Sequence, residues 1–230
     1  MKYWNGNFIT TKSTARGDGI YNLHAQAIYE KETTWPRVLS VAEGGLAGKI
    51  FAGSWRSTIA AGNIGTIPLT TQNNAPTGFP SGTKGIPSGY NSGVNVWDEI
   101  NFGNNIADSY GFIAIGYFKP NETGSHQFWC QSDDGSGVWI GANALETGTR
   151  TANNAVVNNG MGTGHGTQER SGTITLTADV YYPIRVVYEE GGGGDNFRLS
   201  WQSPTGTKIQ DLSNYFYYAV NNNVVTGDFT

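Results

Sequence analysis

The residues of this chain best suited to chemistry are two adjacent carboxylates, Asp133 and Asp134, which are followed by Gly135. They lie between two short apolar runs, so we expect them at a tight bend between two strands. Neighbouring aspartates repel each other, and a hard cation that takes oxygen ligands, such as Ca²⁺, would remove that repulsion. The alternative is an ordinary Asp-Asp-Gly turn without a metal.

Composition and charge predict a folded domain. The 230 residues include 33 glycines without a strict repeat, and 13% of the residues are aromatic, which is too many for a disordered chain. The net charge of −4 gives no electrostatic reason to bind nucleic acid, and no apolar run is long enough to insert into a membrane. The single cysteine, Cys130, is predicted to be a buried thiol.

Short apolar runs separated by glycine-rich connections predict an antiparallel β-sandwich or barrel. In chain order the predicted strands are Gly45–Trp55, Trp97–Phe102, Tyr110–Phe118, His126–Cys130, Val138–Ile140, Thr173–Thr177, Tyr181–Tyr188 and Phe197–Trp201. One short helix is predicted, roughly over Leu23–Thr33. Two long loops, Thr70–Asn95 and Asn153–Gly172, are predicted to carry function or contacts.

Four segments, in the same order, resemble the protective-antigen (PA-14) domain family and its GLEYA relatives in yeast adhesins. They are GLAGKIFAGSW from Gly45, GYFKPNETG from Gly116, TGSHQFWCQSDDGSGVWIG from Thr123 and YYPIRVVYEEGGGGDNFRLSW from Tyr181. The resemblance spans about residues 44–218. It implies an all-β fold, an antiparallel β-sandwich of the PA-14/GLEYA type, with a short N-terminal helical or irregular extension.

The same resemblance implies a Ca²⁺ site at one end of the sandwich, where a cis peptide bond joins Asp133 to Asp134. An acidic glycine-rich loop would complete the shell of the ion, and its candidate ligands are Glu190, Asp195 and Asn196. The expected partner is a cell-surface glycan whose hydroxyl groups bind the ion, next to Asp133, Asp134 and Asp195. For each residue of the second loop, a solvated acidic turn is the alternative.

No catalytic set of residues stands out, so we predict a binding module and not an enzyme. The histidines at 24, 126 and 165 are scattered, and His126 is predicted to be a core residue. Adjacent aspartates do not straddle a glycosidic bond, because its hydrolysis requires two carboxyls roughly 5–9.5 Å apart. Trp129 and Trp139, the aromatic residues nearest to the pair, are predicted to pack in or on the sandwich.

Three parts are expected along the chain: an N-terminal docking segment (1–42), the sandwich (43–220) and a C-terminal tail (221–230). The phrase from Gly19 to Pro36 resembles segments of tailed-bacteriophage structural proteins, and the N-terminus lacks the apolar stretch of a secretory signal. Together they predict a virion or extracellular surface location, with residues 1–42 joining a homo-oligomer or a larger virion or appendage. The alternative is that residues 1–42 pack on their own domain.

The predicted function is therefore Ca²⁺-dependent carbohydrate binding of the lectin or adhesin kind. It would serve host attachment from a tail fibre or another surface appendage. The alternative is a structural virion or decoration protein that keeps the sandwich without binding sugar.

Overall fold

The computed structural model describes residues 11–12, 21–23, 39–52, 94–103, 106–145, 148 and 150–219. In chain order its strands are β1 (Thr11–Lys12), β2 (Tyr21–Leu23), β3 (Leu39–Glu43), β4 (Leu46–Ala52), β5 (Val94–Trp97), β6 (Asn101–Phe102), β7 (Tyr110–Phe118), β8 (Gly124–Asp133), β9 (Ser136–Ile140), β10 (Val157–Asn159), β11 (Gln168–Leu176), β12 (Tyr182–Glu190), β13 (Asn196–Gln202) and β14 (Phe216–Ala219). Two 3-10 turns, Ala142–Ala144 and Ala152–Asn154, follow β9. Within these ranges no helix is long and apolar enough to cross a bilayer.

The strands form two sheets that face each other. The large sheet has the order β1-β2-β3-β14-β7-β12-β9-β10, and β4 pairs with both β7 and β5. The small sheet has the order β11-β8-β13-β6. Neighbouring strands in both sheets run antiparallel, as in the central pairs β12–β7 and β13–β8. The predicted antiparallel β-sandwich is confirmed.

Alternating residues of the small sheet build the core between the sheets. Phe128 and Cys130 of β8 and Leu199 of β13 are fully buried. The residues that alternate with the buried ones along β8 are partly exposed. They belong to one apolar cluster with Phe112 of β7 and Val186 of β12. Cys130 is the predicted buried thiol, and burial raises its pKa to about 12.

The central strands of the large sheet are buried on both faces, which explains their continuous apolar sequence. A second cluster, which includes Trp139, Met161 and Val187, covers the face that points away from the small sheet. The indole Nε1 of Trp139 donates to the carbonyl oxygen of Thr151 at 3.1 Å and to Asn154 Oδ1 at 2.9 Å. Trp139 therefore packs inside the fold, as predicted.

Several predicted boundaries differ from the observed strands. Strand β12 continues to Glu190, so this residue ends a strand and does not lie in a loop. The predicted loop Asn153–Gly172 contains β10 and the first half of β11, which pair with β9 and β8. Leu23, the first residue of the predicted helix, lies in β2. The remainder of that helix, and the predicted Thr70–Asn95 loop as far as residue 93, lie outside the described residues.

Strand β3 connects the N-terminal segment to the sandwich. It crosses the predicted boundary between residues 42 and 43, and it pairs with β14 on one side and with β2 on the other. The end of the segment is thus part of the large sheet. Docking of residues 1–42 onto an assembly stays a prediction, and the tail 221–230 lies outside the described residues.

Candidate functional site

The two adjacent aspartates lie where β8 ends and β9 begins. Asp134 has a φ of 62°, a left-handed conformation that aspartate tolerates better than most residues. The peptide bond between Asp133 and Asp134 is trans, so the cis bond implied by the family resemblance is not found; the left-handed residue closes the bend instead. Buried Ser132 supports the bend, because its Oγ donates to the carbonyl oxygen of Asp134 at 2.6 Å and lies 2.7 Å from Ser136 Oγ.

Asp134 is buried and joins three segments of the chain. Its Oδ1 accepts a hydrogen bond from the main-chain N–H of His165 at 2.9 Å, and its Oδ2 accepts one from Gly191 at 2.8 Å. Its own N–H donates to the carbonyl oxygen of His165 at 3.0 Å. The carboxylate therefore ties the β8–β9 bend to the segment before β11 and to the loop after β12.

Asp133 is half-buried and has fewer protein contacts. Its Oδ2 accepts a hydrogen bond from Thr167 Oγ1 at 3.3 Å. Asn196 lies directly opposite on β13, and its Nδ2 donates to the same hydroxyl at 2.6 Å. The structure thus brings two of the predicted residues, Asp133 and Asn196, to a shared threonine at the edge of the site.

Asp195 is buried, and both its carboxylate oxygens accept hydrogen bonds from the protein. The N–H of Ile106 donates to Oδ1 at 2.7 Å and to Oδ2 at 3.0 Å. Oδ2 also accepts from the N–H of Ala107 at 3.1 Å and from the hydroxyl of Tyr110 at 3.0 Å. Asp195 therefore fixes the segment before β7 against the start of β13, and its role as a Ca²⁺ ligand stays a prediction.

Glu190 is fully buried and has one oxygen that the described protein does not use. Its Oε2 accepts a hydrogen bond from the hydroxyl of Tyr188 at 3.2 Å, whereas Oε1 has no hydrogen-bond partner among the described residues. Burial, and then the nearby negative charge of Asp134, raise the pKa of Glu190 to about 7, although the main chain of Gly192 and the hydroxyl of Tyr188 partly oppose the rise. A cation bound at Oε1 would favour the ionised form and lower this pKa.

The raised pKa makes stability depend on pH. The folded pKa of Glu190 (about 7) lies above its ordinary value of 4.5, so the folded state binds more protons than the unfolded state between these two values. The free energy of unfolding should therefore fall as the pH rises through this window. Glu190→Gln, which cannot ionise, should be more stable than the wild type above pH 7, and this advantage should shrink towards pH 4.5.

Urea unfolding with a chelator present, at a series of pH values across the window, measures this difference. Glu99→Gln is the matched control, because Glu99 is exposed and its Oε1 accepts a hydrogen bond from the exposed Asn101. This variant gives the effect of the same substitution at an exposed position outside the site. Parallel stability curves for Glu190→Gln and the wild type would show that Glu190 does not titrate in this range.

A cleft of about 370 Å³ opens on the outer face of the small sheet, beside the Asp133–Thr167–Asn196 group. It is lined by Asn101, Phe102, Gly103, Gln131, Thr167, Asn196, Phe197 and Arg198. Sequence reasoning identified Asn196 but missed Thr167, Gln131 and Arg198. The only signal is that Arg198 lies on a predicted strand and Gln131 directly follows one, and neither position shows which residues become neighbours across the sheet.

Trp129 and His126, both predicted to pack in or on the sandwich, lie on opposite faces of β8. Trp129 is half-buried on the outer face, where Lys208 Nζ lies 4.9 Å from the centre of its ring and also pairs with Glu169. His126 is fully buried, its Nδ1 lies 3.1 Å from the carbonyl oxygen of Gly124, and burial lowers its pKa. Both predictions are confirmed.

Comparisons with known proteins show what the central part of this chain is similar to. Residues 110–203 match the family model of the GLEYA domain. The chain is 29% identical over 118 residues to the flocculation protein FLO9 of Saccharomyces cerevisiae, an alignment that covers 47% of this chain and 9% of that protein. The chain is therefore similar to a small part of this yeast protein.

Comparison with solved structures shows a similar fold in a clostridial protein. An anti-sigma factor domain-containing protein from Clostridium clariflavum has a TM-score of 0.50 and 19% identity, with 76% of this chain and 47% of that chain covered. The epithelial adhesin 6 A domain from Candida glabrata, in complex with Galβ1-3GlcNAc, has a TM-score of 0.49 and 20% identity, with 82% and 89% covered. The chain spans about half of the clostridial structure.

The GLEYA match runs from the start of β7 to the residue after β13, so it includes the Asp133–Asp134 bend and the loop between β12 and β13. It confirms the predicted family, and with it the prediction of a binding module rather than an enzyme. Residues 110–203 of this chain are therefore similar to the GLEYA domain, as the sequence resemblance predicted.

Proposed function

We propose that this protein is a carbohydrate-binding module of the adhesin type, and that sugar binds at the end of the sandwich that carries Asp133, Asp134 and Glu190. The observation that carries the proposal is the buried Glu190 Oε1, which has no hydrogen-bond partner among the described residues. Burial, and then the charge of Asp134, raise the pKa of Glu190. The match of residues 110–203 to the GLEYA domain and the similarity to a flocculation protein support the proposal.

The chemistry of these donors fits Ca²⁺, which takes roughly six to eight oxygen ligands. Asp133 is half-exposed with one hydrogen bond from a hydroxyl, and Glu190 has the unused Oε1. Asp134 lies beside Glu190 and accepts hydrogen bonds from the main-chain N–H groups of His165 and Gly191. Within the described residues, no three His, Cys, Asp or Glu side chains are grouped as a metal site. In the proposal, main-chain carbonyls and sugar hydroxyls complete the shell.

The bound ion would supply open coordination positions for two hydroxyls of a sugar. Asp133 would accept hydrogen bonds from those hydroxyls, and Thr167 and Asn196 would hold Asp133 in position from the side. A monosaccharide site of this kind is expected to bind weakly, with a dissociation constant of about 1 mM. Several copies of the module would then be needed for firm attachment.

The sharpest test of this proposal is Asp133→Asn. Because Asp133 is half-exposed and makes one side-chain hydrogen bond, the variant should keep the stability of the metal-free protein. Loss of one charged ligand should weaken Ca²⁺ binding by at least about tenfold, equivalent to about 1.4 kcal/mol. Calorimetry with Ca²⁺ and a glycan array measured with and without chelator give the two readouts.

The matched control is Asp179→Asn, since Asp179 lies in the β11–β12 turn at the other end of the sandwich and pairs with Lys119. This variant should bind Ca²⁺ and glycans as the wild type does. Unchanged Ca²⁺ affinity in Asp133→Asn, or in the double variant with Asp134→Asn, would remove the ion from this site. Glycan binding that persists in chelator would contradict Ca²⁺ dependence, and no binding on a broad array would favour the structural alternative.

In the same proposal the sandwich is displayed on a virion or another extracellular appendage, to which residues 1–42 attach it. The phage-like phrase from Gly19 to Pro36 supports this part of the proposal. The pairing of β3 with β14 supports the alternative, in which the segment packs on its own domain. Sedimentation of the intact chain as an oligomer would agree with docking, and a monomer would contradict self-assembly.

A further inference from the structure

Four polar side chains form a row across the outer face of the small sheet. Strand register places Glu169 of β11, Gln131 of β8, Arg198 of β13 and Asn101 of β6 next to one another. The last three line the cleft beside Asp133. Because the core residues of β8 and β13 point the other way, these side chains are not needed to close the sandwich.

Arg198 is held by a chain of hydrogen bonds. Its Nε donates to Asn101 Oδ1 at 3.3 Å, and Asn101 Nδ2 donates to Glu99 Oε1 at 3.1 Å. These contacts orient the guanidinium group through Nε, and no described residue accepts a hydrogen bond from its two Nη atoms. An arginine held in this way presents two parallel N–H donors, which match the two oxygens of a carboxylate or a sulfate.

The other residues that line the cleft also favour the binding of an anionic group next to Arg198. Arg198 is the one charged side chain among the residues that line the cleft. The side-chain amide of Gln131, its neighbour on β8, makes no hydrogen bond within the described part of the chain, so it is available to a ligand. The net charge of the chain is −4, so its overall electrostatic field does not attract anions. Recognition of an anion would therefore depend on Arg198 and Gln131 themselves.

We propose that the cleft is a subsite for an acidic sugar, whose carboxylate or sulfate pairs with Arg198 while the adjoining sugar of the same glycan binds at Asp133. This inference rests on the function proposed above. Gln131 and Asp133 are two residues apart on β8, about 6.6 Å along the strand, a separation that suits adjacent rings of an oligosaccharide. Thr167 and Asn196 connect the two positions, since both line the cleft and Thr167, which accepts a hydrogen bond from Asn196, donates one to Asp133.

The test uses the intact chain with Ca²⁺ and three forms of one oligosaccharide: with a terminal uronic acid, with that carboxyl reduced to an alcohol, and with a sulfated terminal sugar. The wild type should bind at least one acidic form about tenfold more tightly than the reduced form. Whichever acidic form binds more tightly identifies the group. Arg198→Gln should lose this preference and still bind the reduced form as the wild type does.

Arg170→Gln is the matched control, because Arg170 is exposed on the neighbouring strand β11 and does not line the cleft. It removes the same charge and should keep the preference. Equal binding of acidic and reduced forms by the wild type, or an unchanged preference in Arg198→Gln, would overturn the subsite and leave the proposed function intact. Failure of the wild type to bind any of the three forms or any sugar on the array would overturn both.

Discussion

Replacing Asp195 with asparagine is expected to lower the free energy of unfolding by about 3 kcal/mol. Its two oxygens accept hydrogen bonds from the N–H groups of Ile106 and Ala107 and from the hydroxyl of Tyr110. An asparagine of the same shape must turn its NH₂ group towards one of these donors. All three donors reach Oδ2, so the best placement puts the NH₂ group at the Oδ1 position, where it faces the N–H of Ile106 at 2.7 Å. The remaining hydrogen bonds also lose their charged acceptor. Urea unfolding followed by tryptophan fluorescence measures the loss.

Asp179→Asn provides the comparison for the same chemical change at the surface. The side chain of Asp179 is 82% exposed and lies 3.0 Å from Lys119 Nζ, and such ion pairs contribute little. Its φ of 62° also suits asparagine. A loss for Asp195→Asn as small as that for Asp179→Asn would mean that the hydrogen bonds of Asp195 do not hold the segment before β7.

Four carboxylates at this end of the sandwich, those of Asp133, Asp134, Glu190 and Asp195, have different environments. Asp134 and Asp195 each accept main-chain N–H groups from other segments, so they hold loops in place. Asp133 and Glu190 retain oxygens with few or no protein donors. We therefore expect substitutions at the first pair to act on folding, and substitutions at the second pair to act on the binding of a cation.

The fold was predictable from the sequence wherever the pattern is local. The bounds of β7 agree with the prediction because its apolar run is buried on both faces and ends at turn residues. The alternating burial along β8 follows from its period of two, which placed His126 and Cys130 in the core. The Asp133–Asp134 bend was predictable because Asp and Gly are the usual residues of such turns.

The remainder depends on pairings between distant parts of the chain. Register brings Gln131, Arg198 and Asn101 together on the small sheet, although they lie at least 30 residues apart along the chain. The hydrogen bonds that Asp134 accepts come from main-chain atoms of His165 and Gly191, which no side-chain pattern reveals. Glu189 and Glu190 are charged and precede a run of glycines, so the sequence predicted that they lie in a loop. In the structure they are the buried last two residues of β12.

Trp139→Ala is expected to lower the free energy of unfolding by about 3–5 kcal/mol. The indole of Trp139 is fully buried in the cluster on the far face of the large sheet, so its removal leaves a cavity. The variant also loses the hydrogen bonds from Nε1 to the carbonyl oxygen of Thr151 and to Asn154 Oδ1. Trp139→Phe keeps most of the ring volume, so its smaller loss reports mainly on these two hydrogen bonds. Thermal unfolding of the three proteins measures both steps.

Trp129→Ala is the control, because it removes the same side chain from the outer face of the sandwich. Trp129 is half-buried there and has Lys208 Nζ 4.9 Å from its ring centre, a contact that contributes about 0.5–1 kcal/mol at an exposed site. It should therefore unfold close to the wild type. If Trp139→Ala were as stable as Trp129→Ala but no longer bound sugar, Trp139 would have to contact the glycan directly. Its complete burial against the hydrogen-bonded turn Ala152–Asn154 argues against that outcome, since a sugar ring can stack only on an aromatic face that solvent also reaches.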